Sequence, residues 1–131
     1  MSSFAELGSM RTRQIWPGVV ARMVQSELIT MAVVELAPDS VVPEHHHVNE
    51  QLGFVIEGTV VFTVGGERRE CGPGSTWRIL ADVPHDVCVG PDGAVVAEVY
   101  SPVRADWAAL SEAEPQALQW PHTVASEQGE R

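Results

Sequence analysis

The chain has 131 residues, 44% of them hydrophobic and 20% charged, the balance of one globular domain and not of a disordered or membrane-spanning chain. Acidic residues number 18 against 8 basic ones, giving a net charge of -10, and every basic residue is an arginine. That field repels nucleic acid, whose binding needs clustered cations, but one inward-pointing arginine still suits a small anionic substrate.

No apolar run reaches the roughly 18 to 20 residues that span a bilayer, and Met1 to Glu6 has neither a basic start nor an apolar core. The expectation is a cytoplasmic protein without membrane contact, in which Cys71 and Cys88 are free thiols. A single domain spanning 1–131 is expected, with a barrel over about 15–104 and a loose, polar tail over about 118–131.

In chain order, short runs rich in Val, Ile, Phe and Thr predict strands at Val19 to Met23, Thr30 to Leu36, Leu52 to Ile56 and Thr59 to Val64. Further strands are predicted at Glu67 to Cys71, Ser75 to Leu80, Asp86 to Val89 and Ala94 to Tyr100. Between them stand turn formers: Pro38-Asp39, Glu57-Gly58, Gly65-Gly66, Gly72-Pro73-Gly74, Val83-Pro84 and Pro91-Asp92-Gly93. Gly65-Gly66 reads as a tight hairpin. Many short strands at regular spacing indicate an all-β sandwich or barrel. Helix is expected only at Ala105 to Leu110, carrying Trp107 onto the exterior. Phe62, Met10, Met23 and Met31 read as core, Phe54 and the four tryptophans as core or interface.

The segment Pro43-Glu44-His45-His46-His47-Val48-Asn49-Glu50-Gln51 carries the chemistry. Along a strand His45 and His47 share a face and His46 takes the other, so two imidazoles form a bidentate metal seat. Gln51 shares their parity and brings an amide oxygen, whereas Glu50 points away. His85, whose approach Pro84 fixes, is the candidate from elsewhere; His122 lies in the tail. The run Glu98-Val99-Tyr100-Ser101-Pro102-Val103-Arg104 offers an acid or base and a phenol on one face, with Arg104 turned back over the mouth as an anion clamp. Its spacing equally fits a solvated strand end with a surface arginine. Arg22 and Arg78, inside strands, either line the barrel or stand outside it.

The arrangement His45-x-His47, Gln51, Gly58 resembles the first motif of the cupin superfamily, and Gly72-Pro73-Gly74-Ser75 followed by Val83-Pro84-His85 its second, without the usual downstream Asn. The resemblance implies a jelly-roll β-barrel, here with a short C-terminal helix, that holds one divalent transition metal on His45, His47, Gln51 and His85. The donor set leaves Zn, Ni, Fe and Mn open. Gln in place of the usual Glu leaves the full metal charge on the site, which favours polarising a substrate oxygen.

The chain is also similar to the small pectin-degradation cupins, which linearise unsaturated uronates. Their segment Asp-Val-Phe-Ser-Pro-x-Arg aligns with Glu98, Tyr100 and Arg104, and their early Trp-Pro-Gly-Val with Trp16-Pro17-Gly18-Val19. This implies Glu98, Tyr100 and Arg104 as catalytic residues, and a homodimer. The expected function is a metal-dependent isomerase, lyase or cyclase acting on a carbonyl- or carboxylate-bearing small molecule, either a uronate-like sugar or a biosynthetic intermediate. The alternatives are an Fe(II) dioxygenase on the same ligands and a non-catalytic ligand-binding cupin.

Overall fold

The computed structural model describes residues 2–115 and 120. Among the described residues nine strands run β1 (Arg11–Trp16), β2 (Val19–Gln25), β3 (Thr30–Leu36), β4 (Val41–His45), β5 (Glu50–Val64), β6 (Glu67–Cys71), β7 (Thr76–Ile79), β8 (His85–Ser101) and β9 (Glu112–Pro115), with a 3-10 turn at Leu7–Ser9 before the first and one short α-helix, α1 (Ala105–Ala108), before the last. All pairings are antiparallel, so the all-β expectation is met.

The long strands β5 and β8 organise the molecule, because each takes part in two layers. The first half of β5 and the second half of β8 pair with one another and with β7 and β3, and beyond β3 the layer continues through β2, β1 and β9. Their other halves pair again, flanked by β6 and β4. Between the halves the ladder is interrupted at Val55/Glu57 and Gly58/Val60. There the backbones approach so closely that a Cβ on Gly58 would lie 2.0 Å from the Gly93 carbonyl oxygen, and both glycines have positive φ.

This corrects the strand boundaries. Glu57-Gly58 and Pro91-Asp92-Gly93 were expected to separate strands, but they bend continuous ones, since bulges and glycines allow a corner without ending the ladder. β1 and β4 carry too little apolar alternation to be read from sequence: Arg11-Thr12-Arg13-Gln14 buries only Thr12, and Pro43 interrupts β4.

Inside the barrel pack Val19, Ala21, Val34, Val60, Phe62, Val87 and Val96 among others. Phe62 is core as expected, and Met23 packs against it. Met31 and Phe54 alternate with the inward-facing residues and are half exposed on the outer face. The helix is shorter than expected, and Trp107 is not external: it is 7% exposed and its ring meets Tyr100 edge-on at 4.9 Å. Arg22 lies on the outer face of β2, paired with Glu35 at 2.9 Å, and Arg78 is exposed opposite Leu52, so neither lines the barrel. Cys71 and Cys88 are free thiols. No helix among the described residues is long and apolar enough to cross a membrane. The expected tail and His122 fall outside the described residues, Trp120 excepted.

Candidate functional site

His45 ends β4 and His85 begins β8 directly opposite it, while His47 follows in the turn; the ligating atoms of all three lie within 4.8 Å of one another. Each ring turns Nδ1 to a backbone carbonyl two residues away: His45 to Pro43 at 2.8 Å, His47 to Asn49 at 3.0 Å and His85 to Val83 at 2.8 Å. Nδ1 must donate in each pair, so the lone pair sits on Nε2, the tautomer a metal requires. Burial holds His47 below the ordinary histidine range and His85 at about 4, keeping both neutral.

Two observations fit a cation here. His85 Nε2 is buried with no hydrogen-bond partner among the described residues, a lone pair whose desolvation none of them offsets. His47 Nε2 stands 3.1 Å from Gln51 Oε1, an acceptor facing an acceptor once His47 Nδ1 donates to Asn49. The Gln51 amide cannot relieve this by turning over, because its nitrogen donates to Glu98. A shared cation satisfies all these atoms, so His45, His47, His85 and the Gln51 oxygen fit one divalent metal.

Glu98 stands behind this cluster, where β7, β5 and β8 run abreast. The register sets Trp77, Gly53 and Glu98 in one row and Ile79, Gln51 and Tyr100 in the next. Gly53 has no side chain, and a Cβ there would fall 2.6 Å from Trp77 Nε1. The indole therefore lies across β5 and donates to Glu98 Oε2 at 3.2 Å. Tyr100 donates its hydroxyl to Glu98 Oε1 at 2.7 Å, and the Gln51 amide completes the set. Burial pushes the Glu98 carboxyl up and these three hydrogen bonds pull it back, with a net upward displacement. The Tyr100 phenol is held well above its ordinary range by burial and by Glu98, so it remains a donor.

Arg104 is buried, with its guanidinium 4.1 Å from the Trp107 ring centre and 4.8 Å from that of Tyr100. It grips Asp106 through Nε at 3.1 Å and Nη2 at 2.9 Å. Its backbone is fixed too: the N–H donates to Thr30 at 2.8 Å and the carbonyl accepts from Gln25 at 3.2 Å. Asn49 donates to the carbonyls of Pro102 and Val103, tying the turn after β8 to the histidine segment.

A cavity of about 260 Å³ opens onto this cluster, lined by His45, Gln51, His85, Glu98, Tyr100 and Arg104 at one end and mostly by aliphatic side chains at the other. The structure thus brings seven sequence-predicted residues together, His47 through its contact with Gln51. His46 faces outward near Asp82, at 3.7 Å, and Glu50 is exposed, as their parity predicts. Sequence reasoning missed Trp77 as a partner of Glu98 and Asp106 as the partner of Arg104. The first had a faint signal in Gly53, an interior strand glycine of the kind that marks close approach.

A family model described as a cupin domain matches residues 32–100. The pectin degradation protein KdgF of Dickeya dadantii (strain 3937) is 26% identical over 83 residues, 63% of this chain and 76% of that protein. Among solved structures, KdgF from Halomonas sp. superposes with a TM-score of 0.74 at 21% identity, covering 81% of this chain and 98% of that one. An RmlC-like cupin from Shewanella frigidimarina NCIMB 400 gives 0.75 at 20% identity, covering 81% and 96%. At these identities the structural likenesses show the fold.

Proposed function

The chain belongs to the cupin domain family, and on that premise we propose that it is a metal-dependent enzyme of the isomerase, lyase or cyclase type. Its substrate is a small molecule bearing a carbonyl or carboxylate, either a uronate-like sugar or a biosynthetic intermediate. The observation that carries this reading is Glu98: a buried carboxyl, raised above its ordinary range, on the cavity wall beside a cluster of three histidines.

His45, His47, Gln51 and His85 would hold the metal, which when bound supplies Lewis-acid polarisation of a substrate oxygen. Glu98 is the proton carrier. Its raised affinity for a proton suits donation, and its three donors stabilise the carboxylate that donation leaves. Tyr100 holds Oε1 and fixes the direction in which the proton moves. Arg104, committed to Asp106 through two nitrogens, faces the substrate with its remaining edge and stabilises negative charge there. The likeness to the pectin degradation protein supports a uronate as the first compound to assay. A homodimer is part of this proposal, and light scattering in solution tests it.

The experiment is Glu98→Gln in metal-loaded protein. Turnover is expected to fall by roughly two to four orders of magnitude, the usual weight of a general acid or base, with metal content unchanged. Undiminished turnover removes Glu98 from the chemistry. Stoichiometric iron with substrate-dependent O2 uptake makes the protein a dioxygenase instead, and a protein that binds ligands without turning any over is a binding module.

A further inference from the structure

The interior of the barrel changes character along each long strand. β8 starts at the mouth with His85, descends through Val87, turns at Gly93, and climbs through Val96 to Glu98. The floor of the cavity is therefore mostly valine: the neighbouring strands add Val34 and Val60 to Val87 and Val96, with Leu36 and Phe62 beside them. Valine at these positions leaves space that leucine or phenylalanine would fill, and it leaves no hydrogen-bonding atom on that floor. At the mouth most polar atoms are already committed: the Tyr100, Trp77 and Gln51 donors to Glu98, and two Arg104 nitrogens to Asp106.

Such a site reads one polar group and one apolar group. A sugar acid carries hydroxyls around its whole ring, and those pushed onto the valine floor would lose water without gaining partners, each at roughly an order of magnitude in affinity. An apolar body loses nothing there. Volume agrees: a cavity of about 150 Å³ lined by aliphatic side chains takes a benzene ring, and 260 Å³ takes a ring with a short polar head.

We propose that the substrate has one carbonyl- or carboxylate-bearing head, placed at Glu98 and the histidines, and a compact apolar body of about one ring, placed on the valine floor. This narrows the reading above to its non-sugar branch and rests on that reading for the mouth as the reacting end.

Calorimetry on the zinc-loaded protein tests it with three probes: phenylpyruvate, which has head and body; pyruvate, which has the head alone; and D-galacturonate. Phenylpyruvate is expected to bind at least about tenfold tighter than either of the others. Val34→Thr keeps the volume of the floor and adds a hydroxyl; it is expected to weaken phenylpyruvate about tenfold, leaving zinc content and pyruvate affinity unchanged. Should Val34→Thr fail to fold, Val60→Leu serves by filling the floor, again weakening phenylpyruvate alone. The proposal is overturned if galacturonate binds as tightly as phenylpyruvate, if pyruvate matches it, if none of the three binds, or if the floor variant changes nothing. Failure of the catalytic reading shows separately, as undiminished turnover in Glu98→Gln.

Discussion

Glu35 and Glu98 are both buried, on adjacent strands of one layer but on its opposite faces. Glu35, on the outer face, meets the guanidinium of Arg22 at 2.9 Å. Glu98, on the inner face, is hydrogen-bonded among the described residues by neutral donors, a phenol, an indole and an amide. A carboxylate beside a cation has its charge compensated and serves the fold. One buried among neutral donors has its affinity for a proton raised, which suits it to moving one.

Exchanging each for its amide breaks the comparison open. Glu98→Gln is expected to lose two or more orders of magnitude in turnover while urea unfolding changes by no more than about 1 kcal/mol, since the amide oxygen accepts from Trp77 and Gln51 while the amide nitrogen donates to the Tyr100 hydroxyl oxygen. Glu35→Gln is expected to do the reverse, costing about 3 kcal/mol of stability because Arg22 keeps a buried charge without its carboxylate. If Glu35→Gln reduced turnover as deeply with stability intact, the division between the two faces would fail.

Smaller changes sharpen it. Trp77→Phe keeps the ring against Phe62, whose centre lies 4.6 Å away, but removes the N–H; turnover should drop about tenfold. Between the wild type and Glu98→Gln the Trp77 indole proton resonance should shift, and the other tryptophan resonances should not. Gly53→Ala should reproduce the Trp77→Phe loss by displacing the indole.

The smallest expected effect is one of pH. In metal-free protein the folded His85 takes a proton only near 4, whereas an unfolded histidine takes one near 6.5. Acid therefore favours the unfolded chain: stability contributed by neutral His85 is complete above about 6.5 and declines as the pH falls towards 4. Denaturation midpoints across that window check this, and a flat profile would mean that His85 is solvated.

Much of the site was legible because strand alternation converts spacing into direction. Glu98 and Tyr100 share parity within β8 and both line the cavity, whereas His45, His47 and Gln51 meet because the chain leaves β4 at His45 and turns back into β5 at Glu50. What was not legible runs across strands. Nothing in local sequence joins Trp77 to Glu98, because the link passes over a third strand through the gap at Gly53. The fate of Trp107 was misread for the same reason: its partners Tyr100 and Arg104 surround it only after the turn at Ser101-Pro102. The glycines at 58 and 93 were read correctly as bends and wrongly as ends, since composition marks a corner and a terminus alike.

That corner has a mechanical consequence. His85 and Glu98 belong to one unbroken strand folded back on itself, and Gln51 to a second strand folded beside it. The metal seat and the proton carrier are thus two tips of a single pair of tweezers whose hinge is glycine. Loops around the mouth are free to vary without moving one tip against the other, whereas a side chain added at Gly58, far from any reacting atom, would open both at once.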